Sequence, residues 1–460
     1  MAPQRLSARK TAWLVLNQCD ITRHDTAELL NDTLPKTDRP AQATDIVFGV
    51  LRNRLAIDCV IKKCGSVEPA HVKPALWNLL RIGTYELVYA PKTVEYAILN
   101  EVADLARQKG TARTVGFINA VLRAIQKNIS SRQLPLKEVS RRKILPQDIQ
   151  SGCAFTTDML PDPEKDSANY YGIAFSLPTW LISQWLAAYG PEKTLQICFA
   201  SNRHPSVIAQ PNTLCTTAEK LATRLSDEGI ECEINPEKTM LCIKHAGQIT
   251  KIQEFLDGFF TIQDPTAAEA MKLLSPQPDW TVVDLCAAPG GKSIALAMLM
   301  DDKGTILTTD NDPNRLQKVR QNVKRMRLNA IEVIFPNQIE QKVQKLKRLD
   351  AIILDVPCSN TGVLARRAEA RWRLYNNNIA PLLKTQTRLL TQAAALCQQH
   401  TIIVYSTCSI QPDENQQQIQ QFLSQHPSFT LITEKLTLPA LKTPDLFDHD
   451  GGYVAILQQK

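Results

Sequence analysis

The stretch Asp284-Leu-Cys-Ala-Ala-Pro-Gly-Gly-Lys292 decides the fold of this chain. It overlaps an apolar run at 282–285 and contains Gly290 and Gly291, which allow the backbone to approach a ligand closely. The helix expected after it would point its N-terminus at that ligand. A phosphate-binding P-loop would also need a glycine at position 286, where this chain has Cys286. The stretch is therefore a strand-to-helix turn of another kind.

Short apolar runs alternate with helical stretches from about residue 264 onward. The runs lie at 282–285, 306–309, 330–334, 351–354, 402–405 and 453–457. This alternation predicts an α/β, Rossmann-like domain with a doubly wound and mostly parallel sheet. In such sheets ligands bind at the carboxyl ends of the strands, so the chemistry is expected there.

An acidic residue, Asp310, follows the second of these runs. A carboxylate about 20 residues beyond the first turn typically accepts hydrogen bonds from ribose hydroxyls. The turn and Asp310 together predict a nucleoside-containing cofactor that lies across the sheet. This pattern alone leaves a dehydrogenase and a methyltransferase both open.

Two cysteines follow two further strands of the predicted sheet. The fourth run leads into Asp355-Val-Pro-Cys358-Ser, and the fifth leads into Tyr405-Ser-Thr-Cys408-Ser. A single free cysteine is usually a small apolar core residue, and cysteines such as Cys59, Cys198 and Cys397 fit that explanation. Two cysteines at equivalent strand ends, one of them beside a carboxylate, indicate a chemical role instead.

A pair of cysteines suits the methylation of a pyrimidine carbon. Carbon 5 of cytosine is a poor nucleophile, but a thiolate that adds to carbon 6 makes the ring enamine-like and able to attack a methyl sulfonium. An acid at the ring nitrogen would stabilise the charge of the adduct, and Asp355 is suitably placed for that role. The cysteines therefore favour the methyltransferase over the dehydrogenase.

A basic and aromatic cluster comes soon after the Cys358 loop. Its members are Arg366, Arg367, Arg371, Trp372 and Arg373. Arginines beside an aromatic ring offer phosphate contacts next to a stacking surface. The cluster therefore predicts an RNA-binding site beside the chemistry.

The rest of the chain divides into three further segments. Residues 1–130 read as successive helices, and 131–168 read as a linker because prolines and charge clusters interrupt any periodicity. Residues 169–256 predict a small α+β module that precedes the core, and 257–460 form the Rossmann-like domain.

The composition indicates an ordinary soluble globular chain of mildly basic charge. The net charge is +7 over 460 residues, which suits nucleic acid without requiring it. The longest apolar runs are too short to span a bilayer, so no membrane association is expected. Twelve cysteines without a secretory signal indicate reduced thiols and a cytoplasmic protein. The cysteines and histidines do not have the spacing of a zinc site, so we expect no structural metal. We expect a monomer.

The cysteine and cofactor motifs resemble those of the RNA 5-methylcytosine methyltransferases, and within them the bacterial 16S rRNA cytosine methyltransferase B group. The matching residues are 284–292, 355–359 with Thr361-Gly362, and Thr407-Cys408-Ser409 with Glu414-Asn415. The N-terminal region is similar to the NusB RNA-binding fold. That similarity rests on Leu80-Arg-Ile-Gly-Thr-Tyr-Glu-Leu87 and Gly116-Phe-Ile-Asn-Ala-Val-Leu-Arg123.

This resemblance implies a role for each motif residue. Cys408 would be the nucleophile, Cys358 would assist breakdown of the adduct, Asp355 would hold the cytosine, and Lys292 would lie between cofactor and base. The cofactor would be S-adenosylmethionine, and the RNA partner would be 16S rRNA, either naked or in an early subunit precursor. The residues implied to bind the cofactor are Asp284, Cys286, Ala287, Ala288, Pro289, Gly290, Gly291, Lys292, Asp310, Asn337 and Asp355.

The chain departs from the family pattern after the third strand. It has Phe335-Pro-Asn-Gln338 where the family has an aspartate that meets the cofactor's adenine, so Asn337 is expected to take that place. This change motivates an alternative: an RNA-binding assembly or antitermination-like factor whose methyltransferase domain is inactive. A third option, DNA methylation, predicts that Cys358 rather than Cys408 forms the adduct.

Overall fold

The computed structural model describes residues 5–20, 26–108, 110–244, 249–374 and 379–460. The chain forms two compact units. Unit 1 consists of residues 1–203 together with 367–377, and unit 2 consists of 204–366 together with 378–460. The described residues 367–374 thus interrupt the sequence of unit 2 and fold as a part of unit 1.

The described part of unit 1 begins with seven α-helices, as the periodicity of the N-terminal region predicts. They are α1 (Ala8–Gln18), α2 (Thr26–Thr33), α3 (Pro40–Arg52), α4 (Arg54–Gly65), α5 (Pro74–Tyr89), α6 (Glu95–Arg107) and α7 (Ala112–Asn128). The apolar residues Ile118, Val121 and Leu122 recur at helical spacing on α7 and are all buried. The Ser7 side chain accepts a hydrogen bond from the Lys10 amide and so caps α1.

The expected linker at 131–168 is a folded part of unit 1, so that prediction is wrong. The segment contains β1 (Ile129–Pro135), β2 (Ile144–Pro146) and β3 (Ser151–Phe155), which form an antiparallel sheet in the order β1-β3-β2. Leu145, Cys153 and Phe155 are buried. Burial of these side chains stabilises the sheet, and β2, with three residues, is too short to show a period of two in the sequence.

The next two helices also belong to unit 1, although the sequence assigned them to the small module. They are α8 (Ser167–Ala174) and α9 (Thr179–Asn202). The α9 axis is interrupted at Gly190, whose φ of +77° is open to glycine at little cost, and Pro191 follows it.

The small module is an antiparallel sheet with one face covered by a helix. Its elements are β4 (Val207–Pro211), α10 (Ala218–Asp227), β5 (Cys232–Ile234), β6 (Leu241–Ile243), α11 (Gln253–Leu256) and β7 (Phe260–Ile262), and the strand order is β5-β6-β4-β7. Leu221 and Leu225 of α10 pack with Phe260 in one apolar cluster. Because β7 pairs with β4, the module extends beyond its predicted end at residue 256.

The large sheet of unit 2 follows the alternation that the sequence predicts. Its strands and helices are α12 (Pro265–Leu274), β8 (Thr281–Asp284), α13 (Gly291–Leu299), β9 (Thr305–Thr308), α14 (Pro313–Met326), β10 (Ile331–Val333), α15 (Ile339–Gln344), β11 (Ala351–Asp355), α17 (Ala380–Leu396), β12 (Ile402–Thr407), α18 (Gln416–Gln425), β13 (Phe429–Thr437) and β14 (Gly452–Gln459). The short helix α16 (Ala370–Arg373), between β11 and α17, lies in unit 1.

The strand order is β10-β9-β8-β11-β12-β14-β13. The first five strands are parallel, and β14 runs antiparallel to both β12 and β13. The prediction of a mostly parallel, Rossmann-like sheet is therefore confirmed, and all six predicted strands are present. The turns after β8, β9, β11 and β12 meet at one edge because those strands are parallel. Within the described ranges, no helix is long and apolar enough to cross a membrane.

Candidate active site

The turn after β8 forms a cradle at the carboxyl edge of the sheet. Gly290 has a φ of +107°, a conformation that side chains rarely adopt, and it caps α13. Two backbone hydrogen bonds hold the turn: the Ala287 amide donates to the Thr309 carbonyl at 3.0 Å, and the Gly290 amide donates to the Ala287 carbonyl at 2.6 Å. The turn therefore presents backbone rather than side chains to a ligand.

Two buried carboxylates flank this turn. One oxygen of Asp310 accepts a hydrogen bond from the Ala288 amide at 3.2 Å, so the acid after β9 is fixed against the turn. Asp284 is completely buried, and the Ser293 hydroxyl donates to it at 2.6 Å. Burial, reinforced by the nearby Asp355 charge, raises the pKa of Asp284 to about 7 against the opposing effect of the Ser293 hydrogen bond.

The cradle fits a nucleoside-containing cofactor. On the side where Gly291 lacks a Cβ, the nearest atom that a Cβ would meet is Gln263 Nε2 at 3.8 Å, so the backbone there is open to a ligand. Asp310 lies against the same turn through its hydrogen bond with the Ala288 amide. Cys286 is half-buried in the same turn, and burial raises the pKa of its thiol. Asn337 lies in an exposed 3₁₀ turn, Pro336–Gln338, after β10.

Lys292 and Asp355 form an ion pair between the cradle and the next strand end. Lys292 Nζ on α13 lies 2.8 Å from Asp355 Oδ2 at the end of β11. Burial would lower the pKa of Lys292, but the charges of Asp355 and of a Cys408 thiolate, together with the hydrogen bond to Asp355, raise it above its ordinary value. The Ser406 hydroxyl donates to the other Asp355 oxygen at 3.2 Å. Lys292 is therefore a fixed positive charge in the site.

The two predicted cysteines lie side by side. Cys358 Sγ and Cys408 Sγ are 3.1 Å apart, and Asn360 Oδ1 lies 3.1 Å from Cys408 Sγ. The hydrogen bond with Cys408 and then burial raise the pKa of Cys358 well above its ordinary value. In this structure the Cys408 thiol donates to Asn360 Oδ1, and the raised pKa of Cys358 favours its protonated form. The thiolate is the nucleophilic form of a cysteine.

Lys292 and Cys408 line one cavity at this edge of the sheet, together with Asp264 and Asp450. The predicted catalytic residues are thus brought together by parallel strands that are distant in sequence. Sequence reasoning assigned no role to one buried carboxylate behind the cysteines, Glu414, although its Glu414-Asn415 motif was visible. The sequence did not show which distant side chains would bind Glu414.

The predicted RNA-binding cluster is divided by the fold. Arg366 lies in unit 2, where its guanidinium pairs with Asp450 at 2.7 Å and with Asp264 at 3.1 Å. Arg367 and Arg373 lie in unit 1 and are exposed.

The RNA-binding prediction is corrected for Arg371. Its side chain is completely buried in unit 1, where the guanidinium donates to the carbonyl oxygens of Arg52 at 2.7 Å and Ser201 at 2.9 Å. It also donates to Asn202 Oδ1 at 2.8 Å. These acceptors, all far away in sequence, use the donors that a phosphate would need. Trp372 is half-buried, and its indole N–H donates to the Leu51 carbonyl at 3.0 Å.

The parallel sheet, the nucleoside cradle and the thiol pair at its edge define a Rossmann-like methyltransferase that uses S-adenosylmethionine. Models of three families match the chain: NusB at residues 6–127, the ferredoxin-like domain of RsmF/B-type methyltransferases at 177–250, and the 16S rRNA methyltransferase RsmB/F at 271–446. The chain belongs to the RsmB family of rRNA methyltransferases, with a NusB domain at its N-terminus.

Relatives of known sequence and structure extend over nearly the whole chain. The Synechocystis sp. protein named probable ribosomal RNA small subunit methyltransferase B is 30% identical over 99% of this chain and 100% of its own length. Ribosomal RNA small subunit methyltransferase B of Photorhabdus laumondii is 28% identical over 95% of this chain and 96% of its own. The crystal structure of PH0851 covers 98% of this chain and 97% of its own with a TM-score of 0.73, and at 24% identity it supports the fold.

Proposed function

We propose that this chain methylates carbon 5 of a cytosine in 16S rRNA through a covalent adduct on Cys408. The observation that carries this proposal is the pair of thiols 3.1 Å apart, since Cys408 of this pair lines the same cavity as Lys292, the partner of Asp355. A methyltransferase that acts on an oxygen or an exocyclic nitrogen needs no sulfur nucleophile. Two thiols at the edge of the cofactor cradle suit the activation of a pyrimidine carbon.

The first step is the addition of the Cys408 thiolate to carbon 6 of the cytosine. The new S–C6 bond moves the ring's electrons toward carbon 5 and the ring nitrogen N3, which takes up a proton. Asp355 is proposed to hold the base at N3 and to carry that proton, while Lys292 balances the carboxylate when the proton has left. Carbon 5 is then nucleophilic.

S-adenosylmethionine, when bound in the cradle, supplies the electrophilic methyl group. Its methyl carbon would pass from the sulfonium sulfur to carbon 5. Asp310 and the backbone of 286–291 are proposed to orient the cofactor, and Asn337 to meet its adenine. The buried Asp284 fixes the cradle through the Ser293 hydroxyl rather than contacting solvent.

The last step releases the product. A base removes the carbon 5 proton, N3 gives its proton back, and the S–C6 bond breaks with its electron pair returning to Cys408. Cys358 is proposed to assist this departure, because its protonated thiol can donate a hydrogen bond to the leaving sulfur. An enzyme without this donor should hold its RNA covalently.

The RNA substrate is proposed to contact unit 1. Arg367 and Arg373 are exposed and offer phosphate contacts, and the NusB-like helices of unit 1 are proposed to position the rRNA. We expect the enzyme to act as a monomer. Deletion of residues 1–130 should then weaken rRNA affinity and site selection, and unchanged binding would remove this role from the helical region.

The decisive experiment measures methyl transfer from labelled S-adenosylmethionine to unmodified 16S rRNA, naked and in subunit precursors. Wild type is compared with Cys408→Ala and Cys358→Ala. We expect no transfer by Cys408→Ala and a stable protein–RNA adduct in Cys358→Ala, with label at carbon 5 of cytosine in the wild-type product. The reverse pattern would move the nucleophile to Cys358. No transfer by wild type on either substrate would favour an RNA-binding assembly factor.

A further inference from the structure

Behind the two cysteines lies one buried carboxylate that binds both cysteine loops. Glu414 ends the 3₁₀ turn Pro412–Glu414 after β12 and has no exposed surface. Each cysteine is followed directly by a serine, Ser359 or Ser409, and both serines donate to Glu414. The carboxylate thus joins two loops that are 50 residues apart in the chain.

The contacts of Glu414 are charge-assisted and use both of its oxygens. Oε1 accepts from the Ser359 amide at 2.8 Å and from Gln386 Nε2 at 3.0 Å. Oε2 accepts from the Ser409 hydroxyl at 2.5 Å and from the Ser359 hydroxyl. Gln386 Nε2 also donates to the Pro357 carbonyl at 3.0 Å, so the residue before Cys358 is tied to the same group. Hydrogen bonds to an ionised acceptor are roughly twice as strong as neutral ones.

Glu414 is itself fixed by the end of β12. The Tyr405 hydroxyl donates to the Glu414 carbonyl at 2.7 Å. Next to it, Asn415 Oδ1 accepts from the Thr407 hydroxyl at 2.7 Å, and Asn415 Nδ2 donates to the Ser409 carbonyl at 2.9 Å. The carboxylate is therefore a rigid point to which both loops are attached.

We propose that Glu414 is a positioning residue that sets the spacing of the two thiols by binding the loop of each cysteine. This inference rests on the proposed function, since the spacing matters because Cys358 must reach the sulfur that leaves carbon 6. Glu414 lines neither the cavity nor the cofactor cradle, so it acts through Ser359 and Ser409. A shift of one loop by about 1 Å would cost on the order of a hundredfold in rate.

The test measures the thiol pair directly, without RNA or cofactor. Phenylarsine oxide condenses with two thiols, forming two As–S bonds and releasing one water, and it needs the two sulfurs close together. We expect the full-length protein to be captured across Cys358 and Cys408, as identified by mass spectrometry of the bridged peptides and lost in Cys358→Ala. In Glu414→Gln the affinity of this capture should fall about tenfold or more, because a neutral amide can accept at only one of its two ends.

A matched variant separates positioning from general stability. Thr401 is fully buried just before β12, donates to the Leu349 carbonyl at 2.8 Å and lies at the opposite end of the strand from Cys408. Thr401→Val should be destabilised yet keep wild-type arsenical capture and turnover. Glu414→Gln should lose both capture and kcat, with KM within about twofold of wild type because no substrate contact is removed.

Both failures can be recognised. If Glu414→Gln is folded and captures the arsenical as tightly as wild type, the inference is overturned. If Glu414→Gln does not fold, Ser409→Ala removes the hydrogen bond between the Cys408 loop and Glu414 while the carboxylate remains. Wild-type capture of the arsenical in Ser409→Ala then overturns the inference equally. Absence of methyl transfer by wild type would defeat the proposed function alone, since the arsenical measurement involves no methyl transfer.

Discussion

Lys292 Nζ lies 2.8 Å from Asp355 Oδ2, so a cation from α13 neutralises the carboxylate at the end of β11. Lys292→Met should lower kcat by about a hundredfold or more, because the charge that balances Asp355 during proton transfer is lost. Cofactor affinity should change by only a few-fold. Single-turnover methyl transfer and calorimetry measure the two quantities. Lys303→Met, at an exposed lysine, is the control, and wild-type turnover by Lys292→Met would contradict this role.

The buried Asp284 predicts a pH dependence of stability in the protein without cofactor. Its pKa is raised by burial from 3.8 to about 7, so the folded state binds a proton that the unfolded state has lost between these values. That stabilising contribution is fully present below pH 3.8 and is lost as the pH rises through about 7. Asp284→Asn cannot lose a proton. Its melting temperature relative to wild type should therefore rise from pH 5 to pH 8, and a constant difference would contradict the argument. Asp301→Asn, at an exposed carboxylate, is the control.

Local patterns in the sequence predicted the site at the carboxyl edge of the sheet, because each part of that site is encoded by a short, contiguous motif. The apolar runs before Asp284, Asp355 and Cys408 specify buried strands, and parallel strands necessarily bring their carboxyl ends together. The proximity of Cys358 to Cys408 follows from this topology, since β11 and β12 are neighbours. The value of 3.1 Å between the sulfurs does not, because loop contacts set it.

Features that depend on distant partners could not be predicted in the same way. The sheet within 131–168 is stabilised by burial of short strands such as β2, which carry too few residues to show a period. Arg371 resembled a phosphate contact because its neighbours are basic, while the carbonyl groups that bind it belong to residues 170 and more positions away. Glu414 likewise gains its role from Ser359, 55 positions earlier. An isolated charged residue gives no signal of its burial.

The division of the basic cluster predicts opposite effects for two arginines. Arg371→Lys should lower the melting temperature, because a lysine cannot reach all of the carbonyl groups that the guanidinium binds, at a cost of about 1–3 kcal/mol. Arg367→Ala should leave the melting temperature unchanged and weaken rRNA binding, with the salt dependence of binding reduced by about one phosphate contact. Thermal unfolding and filter binding at several salt concentrations measure these effects. If Arg371→Lys lost as much rRNA affinity as Arg367→Ala and kept the wild-type melting temperature, Arg371 would belong to the RNA-binding surface after all.

The loop after β10 predicts that cofactor affinity can be increased. Asn337 is exposed at the position where the family resemblance implies an aspartate that meets the adenine, and a carboxylate is a stronger acceptor for an adenine amino group than an amide. Asn337→Asp should bind S-adenosylmethionine about fivefold more tightly in calorimetry, which corresponds to about 1 kcal/mol. Gln338→Glu makes the same change in charge one residue later, where the side chain already accepts from the Phe335 amide at 2.9 Å. An equal gain in both variants would indicate a general charge effect rather than a contact.

A glycine in the Cys358 loop predicts the effect of a single added methyl group. A Cβ on Gly362 would overlap the Gly451 carbonyl oxygen and lie 2.9 Å from that of Cys408, and backbone atoms cannot rotate away as a side chain would. The Gly362 amide also donates to the Cys408 carbonyl at 3.0 Å, so Gly362→Ala should displace the nucleophile and lower kcat about a hundredfold. Gly116→Ala on α7 is the matched control. A Cβ there meets nothing within 4 Å, so it should stabilise the helix by about 0.5–1 kcal/mol and leave turnover unchanged. Methyl transfer and thermal unfolding are measured for the two variants side by side. Wild-type kcat in Gly362→Ala would contradict this prediction.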